Sequence, residues 1–479
     1  MNIHFLTGSQ HLYGPDTLRR VAENARRVVE GLRESAHVPV EVVWQPVLTT
    51  PTEIYAAIRR AETDEACIGI ICWMHTFSPG KMWIRGLQIL SKPLLHLHTQ
   101  FYRSLPYGEL DMDFMNLHQS AHGGREFGHI CARLGVRRKV VAGHWADEEI
   151  QQRVGAWART ALGVAELHDL RVGRLGDNMR QVAVTEGDKV AAQAQLGVSV
   201  NGYGMGQLVE WIDAVRDNDL TTLIDQYQYE YRVDERLAPD GTHYTHLREA
   251  ARIELGLRDF LRNENLLAFT DTFENLTGLH QLPGLAVQRL MAEGYGFGAE
   301  GDWKTAALLR CLKTMSLGLP GGNSFMEDYT YHFGPGQPAV LGAHMLEICP
   351  SISTEQPFCT VHPLGIGGKA DPVRLVFNGA PGPALNVSLV DMGDRLRLLV
   401  NPVLGIAPAA DLPRLPVARV LWQPAPDLAT AAEAWIYAGG AHHTVYSQNV
   451  TVDQLRDLAH FTGMELVVID AGAVADDFR

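Results

Sequence analysis

Long hydrophobic runs are absent from this 479-residue sequence. No stretch of about 18 consecutive apolar residues occurs, which excludes a typical bilayer-spanning helix. The N-terminal segment Met1–Gly8 lacks the basic and long apolar parts of a signal peptide, and its pattern instead predicts a first buried strand. These absences favour a cytoplasmic protein.

Cysteine and positive charge are also scarce. The six cysteines show no Cys-x-x-Cys spacing, which argues against a cysteine metal site and is typical of reduced thiols in a core. The formal net charge is −14, so neither nucleic acid nor an anionic membrane surface is expected as a partner. No repeat is visible, and the length predicts roughly two to four domains.

The first two thirds of the chain alternate short apolar runs with amphipathic stretches. Strands are predicted at residues 3–7, 40–47, 68–73, 93–98, 140–143, 170–174, 181–185 and 266–273. Helices are predicted between them, for example at residues 16–34, 52–63, 187–196, 245–262 and 285–293. This alternation indicates parallel sheets with crossover helices.

Beyond about Pro320 the residue pattern changes: proline and glycine are frequent, and few helices are predicted. Asn386–Met392 and Arg395–Pro402 flank Gly393-Asp394, which predicts an antiparallel hairpin. We therefore predict an α/β protein with two Rossmann-like parallel-sheet domains, followed by a β-rich, barrel-like C-terminal domain. The predicted domains are residues 1–170, 171–320 and 321–479.

Two glutamates lie among glycines and aromatic residues. Glu300 is within Gly294–Trp303, and Glu327 is within Ser324–Phe333. A carboxylate in such surroundings is typical of a metal ligand or a proton-transfer group. The structural alternative for Glu300 is that it caps a helix beginning at Trp303.

Two histidines follow in similar glycine-rich surroundings. His344 precedes Glu347 by three residues, which would place both on one face if the segment were a helix. His443 follows His442 directly, so that one is a candidate ligand and the other a supporting or packing residue. Two glutamates and two histidines together make a plausible oxygen and nitrogen set for one divalent ion.

Other pairs have weaker signals. His96 and His98 would share one face of a strand, and Asp111 and Asp113 form a metal-like pair, but such pairs are more often structural. The glycines of His122-Gly-Gly-Arg-Glu126 would let the backbone approach a sugar or an anion. Gly294–Ala299 resembles a dinucleotide-binding loop only loosely, because it follows a predicted helix instead of a strand.

Over about residues 3–470 the sequence resembles the bacterial L-arabinose isomerase family. The stretches that carry the resemblance are Gly8–Pro15, Trp73–Pro79, Met112–Asn116, Ala121–Gly128, Gly176–Arg180, Glu300–Lys304, Phe325–Tyr329 and Gly440–Thr444. They are collinear and spread over all three predicted domains.

The resemblance implies an aldose–ketose isomerase that converts L-arabinose to L-ribulose with Mn²⁺, Co²⁺ or another divalent ion. The implied metal ligands are Glu300, Glu327, His344 and His443, and the two glutamates are also the implied catalytic acid/base pair. The implied substrate-binding positions are Gln10, Leu12, Tyr13, Phe77, Gln119, His122, Met179 and Phe273. The family further implies a homohexamer in which a neighbouring subunit supplies part of this set.

The residues themselves leave two alternatives. A metal-dependent sugar lyase or aldolase could use the same glutamates and histidines, although no Lys/Arg cluster for a phosphorylated substrate is visible. A non-catalytic sugar-binding module is suggested only by the first α/β region. Arg180 or Lys304 could keep one glutamate ionised, or could form a structural ion pair. D-galactose is an alternative aldose, and Phe273 is the expected discriminating wall of the pocket.

Overall fold

The computed structural model describes residues 1–479 and divides into two compact units. Unit 1 comprises residues 1–165 and 454–461, and unit 2 comprises residues 166–453 and 462–479. This division does not separate a second from a third domain, so the boundaries near residues 170 and 320 stay predictions.

Unit 1 is built on one parallel sheet. Its strands are β1 Asn2–Gly8, β2 Glu41–Trp44, β3 Cys67–Met74, β4 Leu94–His98 and β5 Arg138–Ala142. The first six helices of the chain are α1 Gly14–Arg33, α2 Pro51–Thr63, α3 Ile84–Leu87, α4 Met112–Leu117, α5 Ser120–Arg133 and α6 Glu148–Asp169. The strand order is β2-β1-β3-β4-β5 with every pair parallel, which confirms the predicted parallel sheet.

The local sequence explains these elements. All residues of β3 are buried, as expected for a central strand covered on both faces. Helix α1 buries a stripe at helical spacing, from Val21 through Ala25 and Val28 to Leu32. Helix α2 begins with a capping box, in which the Thr50 hydroxyl accepts from Glu53 N and the Glu53 carboxylate accepts from Thr50 N.

Unit 2 begins with a second parallel sheet. Its strands are β6 Arg171–Leu175, β7 Ser199–Tyr203, β9 Ala268–Thr270 and β10 Gly296–Gly298, and β8 is the short strand Arg232–Val233. Its helices are α7 Lys189–Leu196, α8 Met205–Asp213, α9 Asp217–Glu230, α10 Tyr244–Asn263, α11 Gly284–Ala292 and α12 Trp303–Met315. The order β10-β9-β6-β7, parallel throughout, confirms the second Rossmann-like sheet.

The strand predicted at residues 181–185 is wrong. Ala183–Thr185 form a 3₁₀ helix, and Gln181 has a positive φ of 68°. The alternation of valines with smaller or polar residues imitates a strand, but the left-handed backbone at Gln181 interrupts any extended segment. The places on either side of β6 are taken by β7 and β9.

The rest of unit 2 is rich in strands. The remaining strands are β11 Asn323–His332, β12 Ala339–Ala343, β13 Phe358–Val361, β14 Val373–Val376, β15 Gly382–Asp391, β16 Leu396–Ile406, β17 Arg419–Pro424, β18 His443–Ser447 and β19 Glu465–Val468. The last two helices are α13 Leu428–Tyr437, in unit 2, and α14 Val452–Thr462, of which residues 454–461 belong to unit 1. Strands β13 and β14 form a small separate sheet with β8.

Six of these strands close into a barrel. They follow the order β15-β18-β11-β12-β17-β16, and β16 returns to pair with β15, while β19 adds to β16 in parallel. The β15–β16 pair is the predicted hairpin, and the barrel-like prediction is confirmed. An apolar core runs from the barrel residues Met326 and Trp422 to Tyr227 of α9 and Leu247 of α10. None of the helices has the length and apolar composition needed to cross a bilayer.

Candidate active site

Glu300 lies in a tight turn between β10 and α12. Its φ is 62°, in a region that costs a non-glycine residue about 1–3 kcal/mol, and Gly301 follows with a φ of 83°. Two backbone hydrogen bonds hold this turn, from Met179 N to Glu300 O and from Gly301 N to Asp271 O, both 2.9 Å long. The surrounding structure therefore fixes the direction of the Glu300 carboxylate against a local backbone preference.

The alternative role of Glu300 as a helix cap is wrong. Asp302 caps α12, because its carboxylate accepts from Thr305 N at 3.3 Å and from Thr305 Oγ1 at 2.7 Å. The Glu300 carboxylate instead lines a cavity and is available for other partners.

The register of three barrel strands brings Glu327 and two histidines together. Glu327 of β11 pairs with His443 of β18 on one side and with Ala343 of β12 on the other. Directly opposed residues of neighbouring antiparallel strands project from the same face of the sheet. His344 follows Ala343, so three strands deliver one carboxylate and two imidazoles to one place.

Three of the four side chains lie close enough to share one ion, and Glu327 lies beside them next to His344. Glu300, His344 and His443 each present a ligand atom within 4.8 Å of the others. His344 Nε2 lies 3.9 Å from Glu327 Oε2, and His443 Nε2 lies 3.8 Å from Glu300 Oε2. The Nε2 atom of His443 is buried and has no hydrogen-bond partner, so it is available to a metal ion.

A cavity of about 150 Å³ opens beside this cluster. Glu300, Glu327 and His344 line its polar side together with Asp271 and Glu347. The opposite lining is mainly apolar and comprises Phe273, Leu276, Leu282, Pro283, Ala299, Tyr329, Met345, Leu364 and Ile366. A small polyhydroxylated molecule could enter and meet the carboxylates.

A second layer of carboxylates orients both imidazoles. His443 Nδ1 lies 3.1 Å from Asp302 Oδ2, and His344 Nδ1 lies 2.5 Å from Glu347 Oε2. A carboxylate at Nδ1 fixes the orientation of each ring, with Nε2 of His344 towards Glu327 and Nε2 of His443 towards Glu300. Residues 344–347 form a bend after β12, so the helix considered for them is wrong, although His344 and Glu347 do interact.

Lys304 forms a buried ion pair with Asp302, the carboxylate that contacts His443. Its Nζ lies 3.3 Å from Asp302 Oδ1, and both side chains are only 1% exposed. Burial alone would raise the pKa of Asp302, but the charge of Lys304 and the hydrogen bond with His443 hold that pKa well below its usual range. Asp302 is therefore a permanent anion behind His443.

Arg180 and Lys304 act through structural ion pairs instead of keeping Glu300 or Glu327 ionised. Arg180 lies 4.0 Å from Glu274, and Lys304 pairs with Asp302. The positive partner of Glu300 is a histidine, since His442 Nε2 lies 3.5 Å from Glu300 Oε2. His442 is thus the supporting member of the adjacent histidine pair, as predicted for one of the two.

The titration of the cluster follows from these partners. Burial acts to raise the pKa of Glu300, but the hydrogen bond with His442 and the nearby His443 lower it overall. Burial acts to lower the pKa of His344, but the adjacent Glu347 carboxylate raises it to about 8. Burial dominates at His443 and lowers its pKa despite Asp302. The site therefore combines an ionised carboxylate with one neutral imidazole.

Three family models together match almost the whole chain. They describe the L-arabinose isomerase N-terminal domain at residues 1–169, the central domain at residues 171–318 and the C-terminal domain at residues 322–465. The chain belongs to the L-arabinose isomerase family. The resemblance inferred from the sequence motifs is confirmed.

Individual relatives agree. An L-arabinose isomerase from Flavobacterium johnsoniae is 57% identical over 100% of this chain and 95% of its own length. One from Yersinia pseudotuberculosis is 58% identical over 100% of this chain and 96% of its own length. Among solved structures, a sugar-binding protein of a Bacillus halodurans sugar ABC transporter is 11% identical to this chain. The match covers 66% of this chain and 87% of the transporter protein, and its TM-score of 0.14 is too low to indicate a shared fold.

Two of the substrate-binding positions implied by the L-arabinose isomerase family lie beside the cluster. Phe273 lines the cavity, and Met179 donates its backbone N–H to Glu300 O. Phe273 therefore contributes an apolar wall, while Met179 helps to hold the strained turn at Glu300.

The other six family positions lie together in unit 1. The Tyr13 hydroxyl donates to Gln119 Oε1 at 3.3 Å, and His122 Nδ1 lies 3.3 Å from the same oxygen. Phe77 stacks on His122 with ring centroids 4.4 Å apart. Leu12 lies next to Tyr13 in the 3₁₀ helix His11–Tyr13 and is 82% exposed, and Gln10 precedes this helix. This group forms one polar and aromatic surface, which contains none of the four cluster residues.

The glycines after His122 serve packing instead of close approach to a ligand. A Cβ atom on Gly123 would lie 2.4 Å from Thr76 O, and one on Gly124 would lie 2.2 Å from His98 Nδ1. Helix α5 can therefore pack tightly against the sheet only because both residues lack a side chain. The packing role of these two glycines is thus established, while the sugar or anion contact of this segment, in which His122 is exposed, stays a prediction.

The weaker metal-like pairs are structural. Asp111 caps α4, since its carboxylate accepts from Phe114 N at 2.7 Å. His96 and His98 share a face of β4, with ring centroids 5.5 Å apart, but no carboxylate contacts them. The site residues that motif reading missed are Asp271 and Asp302. The first follows a buried strand and the second precedes a helix, and both positions are sequence signals for a functional or capping acid.

Proposed function

We propose that this chain converts L-arabinose to L-ribulose on a single divalent ion held by Glu300, Glu327, His344 and His443. The observation that carries the proposal is the convergence of three of these ligand atoms within 4.8 Å at the edge of a cavity. The name shared by the family models and by the relatives supports the substrate and the reaction.

The donor set fits a divalent ion of intermediate hardness. Mixed carboxylate and imidazole ligands suit Mn²⁺ or Co²⁺, whereas structural zinc usually takes a closed tetrahedral set. The state of His443 also supports a bound metal ion. Asp302 contacts Nδ1 of this histidine, and the lone pair of its Nε2 has no hydrogen-bond donor in the protein. When bound, such an ion supplies Lewis acidity that stabilises negative charge developing on the sugar oxygens.

The glutamates supply the proton chemistry. One carboxylate removes the proton from C2 of the open-chain aldose and returns it to C1. The other moves the hydroxyl proton from O2 to O1, so that no net proton is gained or lost. The lowered pKa of Glu300, which follows from its contacts with His442 and His443 despite burial, suits a group that must be ionised before substrate binds.

The positions in unit 1 are proposed to complete a sugar site in the assembled protein. Gln10, Leu12, Tyr13, Phe77, Gln119 and His122 would face a substrate bound by a neighbouring subunit of a homohexamer. Leu12 supports this proposal, since a leucine with 82% of its surface exposed is unusual without a partner. The enzyme is proposed to act in the cytoplasm on a free sugar.

The proposal is tested by incubating the purified protein with Mn²⁺ and L-arabinose in D₂O. We expect ribulose that carries deuterium at C1, because a carboxylate that holds the C2 proton exchanges it with solvent. Ribulose without any deuterium would indicate a direct hydride shift and would contradict the proton-transfer role. Absence of ketose with Mn²⁺ and with Co²⁺ would reject the isomerase itself.

A further inference from the structure

Asp271 is an acidic side chain of the cavity that the proposed reaction does not use. It follows β9 directly, at the carboxyl end of a central strand of the parallel sheet. Its backbone oxygen accepts from Gly301 N at 2.9 Å, which fixes it beside the turn that carries Glu300. Its side chain lines the same cavity as Glu300 and Glu327. Ligands of open α/β sheets bind at such strand ends.

The Asp271 carboxyl has no partner in the protein, although only 6% of the residue is exposed. The other acids of the cavity each face a histidine. Glu347 lies 2.5 Å from His344, Glu327 lies 3.9 Å from it, and Glu300 lies 3.5 Å from His442. Because Asp271 lines the cavity and no side chain hydrogen-bonds to its carboxyl group, the hydrogen-bonding capacity of that group is available to a molecule in the cavity.

The charge state of Asp271 follows from its surroundings. Burial and the nearby Glu347 carboxylate raise the pKa of Asp271 to about 8, although His344 acts in the opposite direction. A protonated carboxylic acid both donates and accepts, as a sugar hydroxyl does, whereas a carboxylate only accepts.

We propose that Asp271 is a substrate-binding residue whose carboxyl group, at the cavity end of β9, binds a hydroxyl group of the aldose. This inference rests on the proposed function for the identity of the sugar. It assigns Asp271 neither to the metal nor to proton transfer. Its contribution therefore lies in the affinity for polyols and not in the rate of the chemical step.

The test compares Asp271→Asn with Asp271→Ala. Asparagine is uncharged and both donates and accepts, so we expect KM for L-arabinose to change less than about threefold. Alanine removes both functions, so we expect KM to rise about 10- to 100-fold while kcat falls much less. Isothermal titration should show the same Mn²⁺ affinity in both variants and in the unsubstituted protein. Thr272→Val is the matched control, because the adjacent Thr272 hydroxyl is buried and unpartnered but does not line the cavity.

A second readout separates this inference from the isomerase proposal. L-arabinitol, the alditol of the sugar, cannot be isomerised, and its binding to the Mn²⁺-loaded protein can be measured by calorimetry. Binding that survives in Asp271→Asn and is lost in Asp271→Ala would support the role of Asp271 even if no ketose were formed.

Three outcomes would overturn the inference. The first is an Asp271→Asn variant as impaired as Asp271→Ala, with weakened Mn²⁺ binding in both, which would show that the residue acts as an anion near the metal. The second is an unchanged KM and alditol affinity in Asp271→Ala. The third is a Mn²⁺-loaded protein that binds no alditol before any substitution.

Discussion

Two buried histidines of unit 1, His75 and His96, have surroundings opposite to those of His344 and His443 in unit 2. In unit 1, His75 and His96 are almost fully buried and no carboxylate contacts them. Burial, aided by neighbouring histidines, lowers the pKa of His75 to about 3 and that of His96 to about 4. In unit 2, His344 and His443 are equally buried, but each has a carboxylate at Nδ1.

An imidazole that only fills the core differs from one that a carboxylate holds in a fixed orientation. His75 stacks on Trp73 with ring centroids 4.5 Å apart and lies 2.9 Å from the Asn24 amide, so it behaves as a neutral aromatic of the core. The carboxylate at Nδ1 of His344 or His443 instead fixes the orientation of the ring and directs Nε2 towards a glutamate of the cluster. The partner of the second ring nitrogen therefore distinguishes the two kinds of buried histidine better than burial does.

The largest expected effect is loss of activity in Glu300→Gln and Glu327→Gln. Either change removes a group proposed to bind metal and to transfer a proton, so we expect kcat for ketose formation to fall about 10³-fold or more. Thermal unfolding should change little, because neither carboxylate is part of the core. Glu433→Gln, on the exposed face of α13, is the control. Near-normal activity in either variant would contradict the metal-binding and proton-transfer roles proposed for that glutamate.

The next effect concerns the stability of unit 1 in acid. The folded pKa of His96 lies near 4, below the unfolded value of 6.5, because burial and the nearby His98 disfavour the charged form. The unfolded chain then binds more protons between these values. The free energy of unfolding is therefore highest above about pH 6.5 and decreases as the pH falls towards 4. Protonation of His96 in the unfolded chain accounts for about 3 kcal/mol of this decrease.

Hydrogen–deuterium exchange of the β4 peptide at pH 7.5 and pH 5, corrected for intrinsic exchange, measures this change within unit 1. His96→Gln should show a weaker pH dependence than the unsubstituted protein. An identical pH dependence in both proteins would mean that His96 is not held neutral by burial.

The smallest effect sharpens the comparison at the metal. Glu347→Gln and Asp302→Asn should each weaken Mn²⁺ binding about 10- to 100-fold, because they disturb the orientation of a ligand without removing it. Titration calorimetry measures the affinity. His96→Gln in unit 1 is the matched control and should leave the affinity unchanged. If it weakened Mn²⁺ binding as much as Glu347→Gln does, the distinction between the units would fail.

Sequence patterns predicted the elements better than the contacts between them. Buried strands such as β3 and the β15–β16 hairpin follow from apolar runs and a Gly-Asp turn, which are local signals. The alternation at residues 181–185 was misleading, because the positive φ of Gln181 has no signature in a single sequence.

The candidate site shows the same limit. Local surroundings marked Glu300, Glu327, His344 and His443, but nothing local indicates that Glu327 lies opposite His443 in the sheet. The role of Asp302 was hidden for the same reason, since its carboxylate connects Lys304 to a histidine 141 residues away. Long-range register creates these relations, and motif spacing does not encode it.

Closure of the barrel has a consequence for the fidelity of this register. Side chains alternate between the two faces of a strand, so a shift of β11 by one residue would replace Glu327 with Asp328 in the cavity. In an open sheet an edge strand could slip in this way at modest cost. In a ring of six strands each strand is paired on both sides, and a slip of one would break its pairing with both neighbours. Pairing on both sides of β11 therefore ensures that Glu327, and not Asp328, lines the cavity.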